Sequence, residues 1–238
     1  DLPQRATVQR ALDALGKSET LTVSQQADQK LLTDTLALLD SIEKEQAKAK
    51  ALTQRVRSLP GEMKEIGAKI DSLAQDKGPE QLKSEYASMS LAELESRQPE
   101  VLANMQDAQE ALGTIGSQIT SLQTLPERAQ ANMSRAYQRS QEIRTRLNSG
   151  DGVSSAEKMK LNTELALLDL QLANLQKDLD NRTSMQDLAV KQRDYQSARL
   201  AHEEQKLQAL QEQSSAKRLG DTEKAAEQTG ELVAIADN

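Results

Sequence analysis

The chain has 238 residues, with 30 basic and 37 acidic side chains, no cysteine, no tryptophan and no phenylalanine. A net charge of −7 argues against general nucleic-acid binding, which needs a basic surface, and the lack of cysteine excludes disulfides, thiol nucleophiles and thiolate zinc sites. Leucine and alanine set among glutamine and charged residues are typical of long helices and coiled coils, not of one wide core.

Residues 1–80 are predicted to form an N-terminal helical segment with one long helix at about 24–58. Ser24 is a reasonable N-cap, and the run Leu59-Pro60-Gly61 is expected to end the helix. Short helices are expected before and after it, and the turn cluster at 76–79 closes the segment. The apolar stripe of the long helix alternates steps of four and three residues: Leu31, Thr35, Leu38, Ile42, Glu45, Ala49, Leu52, Val56 and Leu59.

Residues 81–150 are predicted to form a central helical hairpin with its corner at 124–128. Pro126 lacks an N–H and cannot continue a helix interior, but it fits the first turn of a new helix. Thr124 and Glu127 have the spacing of a capping box. A connection this short makes the second arm fold back antiparallel on the first.

The first arm of this hairpin begins at a second capping box, Ser90 with Glu93. We expect a kink or a break at Pro99, and the sequence leaves open which of the two occurs. A narrow stripe of alternating threes and fours, the seam of a coiled coil, follows the arm: Leu91, Leu94, Gln98, Val101, Met105, Ala108, Leu112, Ile115, Ile119 and Leu122.

Residues 151–219 are predicted to form a second helical hairpin with its corner near Asn181, followed by a weakly ordered tail at 220–238. Its first arm carries a heptad of six leucines from Leu161 to Leu179. No alternating β-branched pattern appears, so the predicted fold is all-α, an elongated antiparallel bundle of helical hairpins with no β-sheet. Whether the hairpins form one bundle or two stays open.

Candidate chemistry is sparse, and we expect no catalytic, cofactor-binding or metal-binding residue and no enzymatic activity. His202 is the only histidine and lacks a second metal-ligating partner at a helical spacing, so a seam or surface position is expected. The neighbouring carboxylates Glu203 and Glu204 are expected on the surface. Gly113 and Gly116 lie inside the heptad pattern and indicate close helix packing or a local weak point.

Arginines recur along residues 135–146, which could meet an acidic surface or lipid head groups. The glutamines and Glu142 between them favour a solvated face instead. Tyr137 and Tyr195 are expected to make core or hairpin contacts. The arginines are Arg135, Arg139, Arg144 and Arg146.

The run from Ser121 to Gln130, continued by the segment from Ile143 to Leu147, resembles the N-terminal periplasmic region, or porin domain, of the large MscS-type mechanosensitive channels. It is closest to the potassium-dependent members. Three further segments agree in order along the chain: residues 31–36, 191–195 and 217–219. The likeness covers nearly the whole chain, and the hairpin run is its most specific part.

The resemblance implies the extramembrane, periplasmic part of a Gram-negative inner-membrane channel that relieves osmotic stress, with a cleaved leader before Asp1. The family's pore helices would lie beyond Asn238, so no pore residue can be assigned. The implied partners are the rest of its own channel, further copies in a homo-oligomer and envelope components, with no nucleic acid and no small-molecule substrate. The alternative is a periplasmic coiled-coil adaptor or scaffold that docks a partner through its hairpin tips.

Overall fold

The computed structural model describes residues 2–237, and over that range it contains helices and no strand. The all-α prediction is therefore confirmed. Three of the helices are much longer than the roughly 12 residues of an average α-helix, and they hold most of the chain. The helices are α1 (Arg5–Gly16), α2 (Val23–Ala74), α3 (Pro79–Ala87), α4 (Leu91–Asn148) and α5 (Ser155–Ala236).

The chain forms two compact units, and each unit combines segments that are far apart in the sequence. Unit 1 consists of Asp1–Leu59 and Ser121–Met185, and unit 2 consists of Pro60–Thr120 and Gln186–Asn238. The helices α2, α4 and α5 each contribute one stretch to unit 1 and another to unit 2.

The predicted corners near Pro60, Pro126 and Asn181 are wrong, because each of them lies inside a continuous helix. Pro99 also lies within α4 and does not break it. The physical reason is the seam, which keeps its alternation of threes and fours across Pro126. A proline costs about 3 kcal/mol in a helix interior, and the burial of seam residues on both of its sides outweighs that cost. The seam residues after Leu122 are Pro126, Ala129, Met133, Ala136, Ser140, Ile143 and Leu147, none of them exposed.

The predicted seams themselves are confirmed by burial. None of the nine stripe positions predicted for α2 and none of the ten predicted for α4 is exposed. Leu94 and Ala108 are fully buried, and Thr35 on α2 is fully buried as well. Thr35 tolerates this position because its hydroxyl donates to the Leu31 carbonyl at 2.7 Å.

The core of unit 1 brings α1 against α2 and α5. Val8 of α1 is completely buried and packs in a cluster with Leu32, Leu39 and Leu167. Arg5 fastens the start of α1 to α2 through Asp40, at 2.7 Å between Nη2 and the carboxylate oxygen. This short helix is thereby held against α2 by apolar burial and by two surface ion pairs of Arg5, with Asp40 and Glu43.

The core of unit 2 is built where α3 and the start of α4 meet α5. Leu82 and Tyr86 of α3 are 2 % and 4 % exposed, and Leu94 of α4 and Leu210 of α5 are both fully buried. The short helix α3 therefore contributes two buried side chains to this core.

The helix starts follow local capping chemistry. Thr22, not Ser24, caps α2, because the Thr22 hydroxyl accepts the Gln25 N–H at 3.1 Å and the Gln25 side chain accepts the Thr22 N–H at 2.9 Å. The predicted box at Ser90 and Glu93 is confirmed, with reciprocal bonds of 3.2 and 3.3 Å.

The segment at 220–237 differs from the predicted weakly ordered tail, since α5 stays helical to Ala236 with every residue from 221 to 237 exposed. Over the range 2–237, none of the helices has a stretch apolar enough to cross a lipid bilayer.

Candidate functional site

The backbone at Pro126 is the most unusual feature of unit 1. Because Pro126 has no N–H, the carbonyl of Leu122, four residues earlier, lacks its helical donor. Arg182 on α5 supplies the replacement, and its Nε donates to that carbonyl at 2.6 Å. Both residues lie in unit 1. The carbonyl that α4 leaves without a backbone donor therefore forms a hydrogen bond with α5 instead.

The turn before Pro126 is bound by side chains of its own helix. Arg128 donates through Nη2 to the Ser121 carbonyl at 2.7 Å and through Nε to the Thr124 hydroxyl at 3.2 Å. The Thr124 hydroxyl itself donates to the Ser121 carbonyl at 3.2 Å. Thr124 thus stabilises a helix that continues, where the sequence predicted that it would cap a new one.

A polar cleft of about 450 Å³ lies between α2, α4 and α5 within unit 1. Asn174, 4 % exposed, donates to the Glu45 backbone carbonyl at 3.0 Å and to the Glu45 carboxylate at 2.7 Å. Burial raises the pKa of the Asp178 carboxyl at the edge of the cleft, with Lys48 opposing the shift and Glu45 adding to it. The buried Asn174 amide therefore links α5 to α2 beside the cleft. The Asp178 carboxyl is partly removed from solvent there.

The predicted arginine run does not form one free cationic surface. Arg139 binds Glu164 of α5 through two bonds of 2.6 and 3.0 Å, and this pairing raises the pKa of its guanidinium. Arg146 binds Glu157 of α5 at 2.9 and 3.1 Å, which lowers the pKa of the Glu157 carboxyl. Arg135 bonds to Asn132 within α4. Two of these arginines therefore join helices.

His202 occupies a largely buried position in unit 2, with its side chain 11 % exposed. Its Nε2 lies 3.1 Å from the Asp76 carboxylate, in the turn that follows α2. The pKa of Asp76 is lowered, first by the Lys77 backbone N–H bonded to its carboxylate at 2.8 Å and then by His202 and Lys206. A seam position for His202, expected from the sequence, agrees with this geometry.

Two other expectations are corrected. Glu203, expected on the surface, is 6 % exposed and accepts a bond from the Lys206 ammonium at 3.2 Å, because it lies on the buried face of α5. Tyr137, expected to make a core or hairpin contact, is 58 % exposed and therefore lies outside the core. Tyr195 lies in unit 2 with the Lys69 ammonium 6.0 Å from its ring centre.

The glycines inside the α4 heptad do not mark close packing. A Cβ at Gly113 or at Gly116 would have open space, with no heavy atom of a neighbour within 4 Å. Of the two expectations for this pair, close helix packing is wrong.

Asn174 and Arg182 are the positions that sequence reasoning missed. Asn174 precedes Leu175 of the leucine heptad, and a lone asparagine beside a seam is a known device for fixing helix register. Arg182 adjoins the corner that the turn-like run predicts near Asn181, so the sequence gives it no helical contact. The signal for its role was Pro126 itself, which frees a carbonyl that some donor must satisfy.

Over residues 2–237 the structure brings together no group of three or more side chains able to hold a metal ion. Its charged and amide groups instead link one helix to another, at Arg139, Arg146, Asn174 and Arg182. Fold and contacts together define a long-helix bundle module whose polar chemistry serves helix association.

Comparison with known proteins gives this module a family. Residues 11–237 match the model of the mechanosensitive ion channel porin domain, so the chain belongs to that family. It is 37 % identical over 232 residues to the mechanosensitive channel MscK of Escherichia coli strain K12. The aligned stretch covers 96 % of this chain and 21 % of that protein.

A more distant relative is an uncharacterized MscS family protein of Haemophilus influenzae, which is 26 % identical over 212 residues. The aligned stretch covers 85 % of this chain and 18 % of that protein. The chain thus spans about a fifth of the length of these relatives. No solved structure matches it. The family assignment agrees with the resemblance seen in the sequence.

Proposed function

We propose that this domain is the periplasmic helical extension of a mechanosensitive channel and has a structural, assembly or gating-modulating role without a pore of its own. The supporting observation is the family match over residues 11–237. The polar contacts between helices, at Arg139, Arg146 and Asn174, also support a structural role.

A bundle of this kind is suited to bearing axial load along its long helices. The helices α2, α4 and α5 are each continuous over more than 50 residues. A continuous helix carries its backbone hydrogen bonds along its axis, so each of the three can bear axial load along its own length. We infer that the extension helps to set the tension at which the channel opens.

The decisive experiment removes residues 1–238 from the full-length channel and measures gating in membrane patches. We expect the deletion to change at least one of three properties. These are the opening tension relative to that of a reference channel, the number of subunits in the oligomer and the response to potassium. If all three properties equal those of the intact channel, the proposed role is wrong. Leu102→Ala, at a side chain that is 51 % exposed, is the matched control, because it changes the domain without disturbing a core.

The proposed location and partners can be tested separately. We propose that the domain lies in the periplasm, is joined to the membrane part of its own channel and is present once per subunit of a homo-oligomer. This chain contains no cysteine, so a cysteine at the exposed position Lys17 can be introduced into a cysteine-free channel. Labelling by an impermeant maleimide in cells with a permeabilised outer membrane is expected. Labelling that requires lysis of the inner membrane would contradict the periplasmic location.

A further inference from the structure

The last part of α5 is a helix without packing partners. The final ion pair of this helix within unit 2 joins Arg218 to Glu95 at 2.6 Å, and every residue from 221 to 237 is exposed. Four large apolar side chains are exposed there. They are Leu219 at 62 %, Leu232 at 68 %, Val233 at 55 % and Ile235 at 72 %. We call residues 219–237 the distal helix.

The distal helix separates apolar and acidic residues only in part by angle. At about 100° per residue, three of its four exposed large apolar side chains lie with small residues in a sector of roughly 140°, whereas Ile235 lies outside this sector and Asp237 lies inside it. The acidic side chains Glu223, Glu227 and Glu231, spaced by four residues, fall on the neighbouring sector. The apolar sector contains Leu219, Thr222, Ala225, Ala226, Thr229, Leu232, Val233 and Ala236.

This segment would be a poor helix in isolation. Gly220 and Gly230 each cost about 1 kcal/mol relative to alanine, and carboxylates four residues apart repel each other. A helix of this length is marginal in water even for favourable sequences. A surface that covers the apolar sector and neutralises the acidic one would offset these costs.

We propose that the distal helix docks an amphipathic helix whose apolar stripe is flanked by lysine or arginine, and that this helix belongs to the same channel polypeptide. The charge of the segment indicates a basic partner, since the segment contains five acidic residues and one basic residue, Lys224. A second copy of the distal helix would place acidic stripes beside each other, which like-charge repulsion opposes.

The source within the channel rests on the proposed function. The relatives are about five times as long as this chain, so a channel of that length offers many helices at high effective concentration. Binding within one polypeptide needs no separate encounter and gains from that concentration.

The test is site-specific photo-crosslinking in the full-length channel in native membranes. A benzophenone amino acid replaces Val233 on the apolar sector or, as a matched control, Lys224, which lies half a turn away around the helix. Peptide mapping is expected to find the Val233 product within the same polypeptide, at a helix that carries basic residues beside apolar ones. The yield at Lys224 is expected to be several-fold lower.

Charge reversal gives the second arm. The triple variant Glu223→Lys, Glu227→Lys and Glu231→Lys should reduce the Val233 product about tenfold, because like charges across an interface are unfavourable. The corresponding Glu→Gln triple variant should give an intermediate yield. These positions are exposed, so the helical circular dichroism of the domain should be unchanged.

Several outcomes overturn the proposal: equal yields at Val233 and Lys224, a product that joins two distal helices, a product with lipid or with a different protein, or no effect of charge reversal. Opening tension is measured on the deletion variant in parallel. An unchanged opening tension, oligomer and potassium response would refute the proposed function, whereas the crosslink pattern decides the docking surface independently.

Discussion

The pairing of Pro126 with Arg182 predicts a specific energetic coupling. The Leu122 carbonyl has lost its helical donor and accepts from the Arg182 guanidinium at 2.6 Å. Arg182→Met keeps much of the side-chain length but removes the donor, and a hydrogen bond to a charged group contributes about 1.5–3 kcal/mol. We therefore expect this variant to lower the free energy of unfolding by about 2 kcal/mol.

Pro126→Ala restores an N–H four residues after Leu122 and removes the proline penalty, so it should raise stability by up to about 3 kcal/mol. In that background the carbonyl already has a backbone donor, and Arg182→Met should cost about 1 kcal/mol less than in the native chain. Urea unfolding followed by circular dichroism, applied to all four members of the double-mutant cycle, measures this coupling.

A cost for Arg182→Met that is equal in both backgrounds, within about 0.3 kcal/mol, would refute the reasoning. The matched control is Arg135→Met. Arg135 lies nine residues beyond Pro126, about 13 Å along the helix, and bonds within α4. Its effect should therefore add to that of Pro126→Ala without coupling.

Other predictions follow from burial. Asn174→Ala should lower the free energy of unfolding by about 2 kcal/mol in urea unfolding. The variant lacks the amide that donates to the Glu45 backbone carbonyl and carboxylate. Leu94→Ala in a fully buried site should cost about 2–4 kcal/mol, whereas Leu102→Ala should cost less than about 0.5 kcal/mol. Burial raises the pKa of Asp178 in the folded chain, so its charge opposes folding above that pKa. Asp178→Asn should then raise the urea midpoint near neutral pH and have little effect at about pH 3, where the carboxyl is protonated in both states; an equal gain at both pH values would contradict the assignment.

The predictable part of this fold was the seam. In α2 the stripe from Leu31 to Leu59 and in α4 the stripe from Leu91 to Leu122 are unexposed at every predicted position, because their spacing alone determines which face can be buried. The family resemblance also followed from the sequence, since its most specific run surrounds Pro126.

Local signals predict the helix ends poorly in this chain, because the phase of the seam overrides them. Proline and a capping spacing at 124–128 indicate a boundary, but the three-and-four alternation passes through Pro126 in phase, which an antiparallel return would not require. The same holds at Pro60, where Met63 and Ile66 continue the stripe of α2 without exposure. A seam that keeps its phase across a proline is evidence for one helix.

The polar contacts were beyond the sequence for a different reason. Asn174 meets Glu45 across 129 positions, and Arg182 meets Leu122 across 60. Such pairs depend on which helices become neighbours, and periodicity gives a face to each helix without naming its partner.

Pro126 connects these observations. A bundle held only by leucine seams can slide by one heptad with little change in apolar contact, because each step presents an equivalent surface. The freed Leu122 carbonyl occurs at one point on α4, and the Arg182 donor occurs at one point on α5, so their bond is satisfied in a single register. Asn174 and Glu45 impose the same condition between α2 and α5. Both bonds therefore favour one register of the helices over the registers shifted by a heptad.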